Sequence, residues 1–235
     1  GLRLDRLISN STALSRSETR LAIRAQRVRV NGITATSASM ALGDADSVTL
    51  DGQPVAPVRP RYFMLHKPAG CVSATVDAAH PTALDLLRGE PRHTELQIAG
   101  RLDMDTTGLL LLTDDGEWNH RLTSPAHRCD KTYRVRLRDP ITAGAVARLE
   151  SGILLRGEKR ETRPAVVEVT GRECRREVLL TISEGKYHQV KRMFAATGNL
   201  VIGLHREQIS GITLDPALAP GEYRPLTPAE VGSIS

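Results

Sequence analysis

The run GRLDMDTTGLLLLTDDG at residues 100–116 sets two carboxylates, Asp103 and Asp105, just ahead of four consecutive leucines, Leu109 to Leu112. Two acids at this spacing could bind a metal, do acid–base or nucleophilic work, or simply cap a turn. The opening D-x-D resembles a calcium loop, but the fifth position is Thr107, the twelfth is Asp114 rather than a bidentate Glu, and leucines fill positions that should be solvated. No metal is expected here. LLLLT reads as a fully buried strand, and Asp114-Asp115-Gly116 as the tight turn after it. Asp105, before Thr106-Thr107-Gly108, suits a turn cap. Asp103 falls at the lip of the sheet, where a carboxylate is positioned for chemistry on a bound ligand.

A sheet must hold that carboxylate, and the surrounding sequence supplies one. RYFMLH runs into the turn Lys67-Pro68-Ala69-Gly70; KTYRVRLRD alternates Tyr133, Val135 and Leu137 against Thr132 and arginines; RPAVVEVT and REVLLTIS are further strands. Helices are predicted at TAGAVARLE, at HQVKRMFAATGN with Gly198 as its stop and Val190, Met193 and Phe194 inward, and at TPAEVGS, which Thr227, Pro228 and Glu230 cap. The fold class is α+β, with a long mixed or antiparallel sheet flanked by helices.

Charge separates the first residues from the rest. The chain has 235 residues and a formal net charge of +5. Residues 1–32 hold seven arginines against Asp5 and Glu18, an excess equal to that of the whole chain. RLDRLISN puts Leu4, Leu7 and Ile8 on one helical face, and Ser15 with Glu18 forms a capping box that starts a second helix. On that helix Arg16, Arg20, Arg24 and Arg27 share a stripe, with Leu21, Ala25 and Val28 on the packing side. Four like charges on one stripe repel unless an anion lies opposite. RVRVNGI then reads as a hairpin turning at Asn31-Gly32. Residues 51–61, with three prolines, read as a linker, and the domain boundary is set near residue 59: 1–58 and 59–235. Three dispersed cysteines without a CxxC indicate neither a disulfide framework nor a zinc site. No apolar run reaches the roughly 20 residues of a membrane helix, and the first residues lack a signal peptide's apolar core, so a cytoplasmic location is expected.

Two resemblances give these segments a function. The first 50 or so residues resemble the S4 RNA-binding module through Arg3, Leu4, Asp5, Leu7, Ser15, Arg16, Ile23, Val28, Val30, Asn31 and Gly32. Residues 100–116 resemble the signature GRLDxxTxGLLLLTxDG of the RluA/RsuA superfamily of RNA pseudouridine synthases. YFMLHKPAGCVSAT, HRLTSPAHRCDKTYRV, ISEGKYHQVKRMFAATGN and LAPGEYRPLT agree with its RsuA branch.

The resemblance implies that a uridine in 16S ribosomal RNA, of the uridine-516 class, is isomerised to pseudouridine without cofactor or metal. It makes Asp103 the catalytic carboxylate, Tyr133 the active-site tyrosine that stacks on the uracil, and Lys191 the cation that keeps Asp103 charged, with Arg192 its competitor. Leu204 is expected in the apolar pocket wall, and Arg101 at a phosphate or in the gap left by an extruded base. His66, Lys67, His188 and the Arg134, Arg136 and Arg138 face are expected at backbone phosphates. Arg3, Arg16, Arg20, Arg24 and Arg27 are expected to bind RNA through the S4 module. The partner implied is 16S rRNA or its ribonucleoprotein precursor, met by a monomer away from any membrane. The alternatives are a non-catalytic S4-containing assembly factor and a synthase of the same branch acting on 23S rRNA.

Overall fold

Of the two leading helices, apolar spacing places the first and a capping box the second. The computed structural model describes residues 2–235, with one unit ending at Pro60 and a second spanning Arg61–Ser235. In the first unit, strand β1 (Leu2–Arg3) leads into α1 (Leu4–Ser11), which buries Leu4, Leu7 and Ile8. Helix α2 (Arg16–Arg24) begins at a complete capping box: the Glu18 amide donates to Ser15 Oγ, and the Ser15 amide donates to Glu18 Oε2. Its inner face is Thr19, Ala22 and Ile23; Leu21, expected to pack, is 60% exposed. The helix also stops at Arg24, so Arg27 lies beyond it and three arginines, not four, share the stripe. Strands β2 (Val28–Val30) and β3 (Ile33–Thr34) turn at Asn31 and Gly32, both at positive φ as the tight turn demands. Strand β4 (Ala41–Leu42) pairs with β1, while β5 (Val48–Leu50) and β6 (Gln53–Pro54) complete the sheet order β3-β2-β5-β6. The start of the expected linker is therefore a hairpin belonging to this unit.

The second unit is built on one sheet that contains β7 (Tyr62–Lys67), β8 (Gln97–Ala99), β9 (Thr107–Thr113), β10 (Lys131–Leu137), β11 (Val166–Val169), β12 (Glu177–Ile182), β13 (Val201–Ile209), β14 (Ile212–Thr213) and β15 (Tyr223–Pro225). The main order is β11-β12-β10-β13-β9-β7-β15, with β8 on β9 and β14 on β13. The leucine run answers to this position. On β9, Leu110 and Leu112 enter one core with Phe63, Leu65, Tyr133, Val135 and Phe194. Leu109 and Leu111 enter the other with Met64, Trp118 and Ile209. A strand buried on both faces carries apolar residues continuously instead of alternately.

Helices α3 (Gly116–Thr123), α4 (Ala143–Ser151), α5 (Gln189–Ala196) and α6 (Pro228–Gly232) flank the sheet. Of these, α3 was not expected. The acids read as a turn include its N-cap: Asp115 Oδ1 accepts from the Trp118 amide, and Asp114 pairs with Arg61. Among the described residues, no helix is long and apolar enough to cross a membrane.

Candidate active site

Asp103 sits in the loop between β8 and β9, and three buried groups fix that loop from below. Ser73 Oγ donates to the Leu102 carbonyl at 2.7 Å and accepts from the Leu102 amide at 3.0 Å. Lys67, fully buried, donates its ammonium to the carbonyls of Pro68, Met104 and Thr106 at 3.0, 3.1 and 2.8 Å. Burial pushes the Lys67 pKa down, against the pull of nearby Cys71, Asp105 and Asp103. Arg206, 1% exposed, donates to the carbonyls of Gly100 and Leu109 at 2.7 and 2.9 Å. The loop then enters β9 through Gly108, where β9 meets β13 in the only parallel strand pair among the described residues. A Cβ on Gly108 would lie 2.2 Å from the Arg206 carbonyl oxygen, and its φ of +110° also favours glycine. Thr107 Oγ1 and His205 Nδ1 bond across the same junction at 2.7 Å.

Above this base the Asp103 side chain is 34% exposed, with His188 Nε2 at 3.3 Å and the Lys191 ammonium at 3.6 Å. Lys191 is closer to Asp105, at 2.8 and 3.0 Å from its two oxygens, and that hydrogen bond holds the Asp105 carboxyl below the usual carboxylate range. Asp105 is therefore a partner of the lysine and not a turn cap. Lys191 bridges two carboxylates.

Beside Asp103 opens a cavity of about 440 Å³, lined on its apolar side by Leu102, Tyr133, Ile182, Val190 and Leu204 and on its polar side by Arg101, Lys131, His188, Lys191 and Arg206. Pockets that take small ligands span roughly 300–1,000 Å³. An apolar, ring-lined slot with one carboxylate and several donors suits a flat polar ring joined to a charged backbone. Arg101 is exposed at its edge, with no hydrogen bond or ion pair from its guanidinium among the described residues.

Several expected contacts lie elsewhere. Lys67 is no phosphate ligand, because all three of its donors are spent on carbonyls. Arg192, expected at the substrate, is not in the cavity lining; it bonds the carbonyls of Tyr187 and Arg156 and faces Glu158. Arg134 pairs with Glu177 and Glu207, Arg138 with Asp139, and His66 Nδ1 lies 2.9 Å from the Leu218 carbonyl, so this face has few free donors for an anion. In the N-terminal unit, Arg3 grips Asp5 through two bonds and Arg27 grips Asp51 likewise. Arg6, Arg16 and Arg20 line a shallow basic depression with Arg3 and Asp5, and Arg24 is exposed at the end of α2.

The sequence reading missed Lys131 and Arg206 in the cavity wall. Both were legible by strand period: Lys131 precedes Tyr133 by two and Arg206 follows Leu204 by two, so each shares its neighbour's face. Burial pushes the Lys131 pKa down, and its ammonium has one weak bond, to the Cys129 carbonyl at 3.4 Å.

Both units match known families. The family model described as RNA pseudouridylate synthase matches residues 61–196, and that of the S4 domain matches residues 2–48. The chain is 51% identical over 234 residues to ribosomal small subunit pseudouridine synthase A of Escherichia coli (strain K12), covering 99% of this chain and 100% of that protein. It is 48% identical to the protein of that name from Haemophilus influenzae, over 99% of both. A crystal structure of a pseudouridylate synthase superposes with a TM-score of 0.71 at 47% identity over 100% of both chains. A carboxylate at a ring-lined cavity, on this sheet and with these relatives, makes the chain a member of the RNA pseudouridine synthase family with an N-terminal S4 domain.

Proposed function

We propose that the chain isomerises one uridine of 16S ribosomal RNA, of the uridine-516 class, with Asp103 as the catalytic carboxylate. The observation that carries this reading is the Asp103 carboxylate on the wall of the cavity that Tyr133 and Leu204 line, flanked by His188 and Lys191. The small-subunit target is supported by the names of the relatives.

The reaction breaks the C1'–N1 bond, turns the uracil and rejoins it through C5. A carboxylate serves both routes open to it: it can stabilise or trap the positive character that develops at the sugar, or remove a sugar proton. Lys191 and His188 stand beside it, at 3.6 and 3.3 Å. Tyr133 offers a ring face to the uracil and a hydroxyl for the proton that leaves C5. The slot must hold the base through its rotation, so broad apolar walls at Leu204, Val190 and Ile182 serve better than a close-fitting hydrogen-bonded cage. A uridine embedded in a duplex costs a few kcal/mol to extrude, and Arg101 stands where it can fill the gap. The S4 unit adds phosphate contacts through Arg16, Arg20 and Arg24.

The test is Asp103→Asn with small-subunit rRNA fragments. Turnover is expected to vanish, with RNA affinity retained within a few-fold. Multiple turnover by Asp103→Asn refutes Asp103 as catalyst. Wild-type protein that binds RNA yet forms no pseudouridine in any rRNA points to an assembly factor, and product in 23S rRNA alone points to the other subunit.

A further inference from the structure

Aromatic side chains are scarce in this chain, at one Trp, four Tyr and two Phe, and all but one of them are buried or half-buried. The exception is Tyr187, 75% exposed. Its ring lies flat on His188, with centroids 3.8 Å apart and planes 21° from parallel. His188 in turn places Nε2 3.3 Å from Asp103, so the stack leads from solvent to the carboxylate.

The backbone beneath the stack is held from several sides. Arg192 donates to the Tyr187 carbonyl at 2.8 Å, the Lys186 amide donates to Gln189 Oε1 at 2.9 Å, and the 4%-exposed Gln189 donates on to Glu184. His188 has φ +46°, a left-handed conformation that a non-glycine residue keeps only where its surroundings impose it. None of these bonds needs the Tyr187 ring. An aromatic group left in water on a fixed backbone has a free face and little freedom to lose on binding, which are the properties of a stacking anchor. The cavity beside it carries Arg101 and Lys131, cations with no carboxylate partner among the described residues, so the ligand that suits the whole surface is a flat ring on an anionic backbone.

We propose that the Tyr187–His188 stack is a platform for the unpaired nucleobase next to the target uridine, held while the target enters the cavity. The proposal rests on the reading of that cavity as the uridine site. Binding is measured in Asp103→Asn protein with a small-subunit rRNA fragment carrying 2-aminopurine on either side of the target. Adding Tyr187→Ala is expected to weaken binding by about 5- to 150-fold and to restore the fluorescence of one flanking 2-aminopurine, whereas Tyr187→Phe and Tyr187→Trp stay within about twofold. In protein that retains Asp103, Tyr187→Ala raises KM by a similar factor and leaves kcat largely unchanged. Unchanged affinity and fluorescence in Tyr187→Ala, or a loss in Tyr187→Phe as large as in Tyr187→Ala, overturns the platform. A loss of kcat without loss of affinity also overturns it, in favour of a role in orienting His188. Turnover by Asp103→Asn would overturn the reading of the cavity itself, while the binding comparison still decides whether Tyr187 stacks.

Discussion

Replacing Lys67 with Met separates two physical roles for one cation. As a phosphate ligand, Lys67 would lower RNA affinity and reduce the salt slope by about one when removed, without touching stability. The structure gives it another role: the ammonium is fully buried and satisfies the carbonyls of Pro68, Met104 and Thr106, two of them in the loop that carries Asp103. A hydrogen bond to a charged group contributes about 1.5–3 kcal/mol, and burying the ammonium costs several kcal/mol in return. Met removes both, but leaves three carbonyls without their donor. A net loss of about 3 kcal/mol follows, which in a domain of about 150–250 residues lowers Tm by about 6–12 °C. Calorimetry measures that loss, and fluorescence anisotropy at several salt concentrations measures the slope. The expected result is a destabilised protein with reduced kcat and an unaltered salt slope. Wild-type Tm together with a slope reduced by about one would refute the reasoning.

Charge reversal at Arg16, Arg20 and Arg24 is expected to weaken RNA binding and flatten its salt dependence, as filter binding would read, because among the described residues none of these three is tied to a carboxylate. Gly108→Ala must push the parallel junction apart, since its Cβ would meet the Arg206 backbone at 2.2 Å, and a loss of at least about 3 kcal/mol in denaturant unfolding is expected. The hydrogen bond from Lys191 lowers the Asp105 pKa, so the stability this pair contributes is present above the ordinary Asp pKa and lost as pH falls through the lower, folded value. Carboxyl NMR titration should find Asp105 returning toward its ordinary pKa in Lys191→Met.

The parts of this protein that were legible in the sequence are those where one residue type has one physical use. Four adjacent leucines closed by a turn signal fit a strand buried on both faces, and the Ser15 and Thr227 capping boxes mark helix starts by chemistry alone. Cations were the hard case. Lys67 and Arg192 look in sequence like any solvated base, yet Lys67 holds carbonyls of the Asp103 loop from within the fold and Arg192 holds the Arg156 carbonyl at its surface. Nothing local distinguishes them, because the Met104, Thr106 and Arg156 carbonyls they serve lie 36 to 39 residues away. The same blindness applies to Asp105, whose partner Lys191 is on another element, and to Leu21, which helix periodicity alone placed on the wrong side.

The parallel junction of β9 with β13 has a consequence for the order of events during synthesis. It joins Thr107 and Gly108 to His205 and Arg206, so the Asp103 loop lacks its neighbouring strand until β13 has emerged. The N-terminal unit closes its own core within its first 60 residues and can fold early. A nascent or truncated chain thus acquires its basic helix long before it acquires a working pocket, and premature termination anywhere ahead of β13 leaves a protein without chemistry.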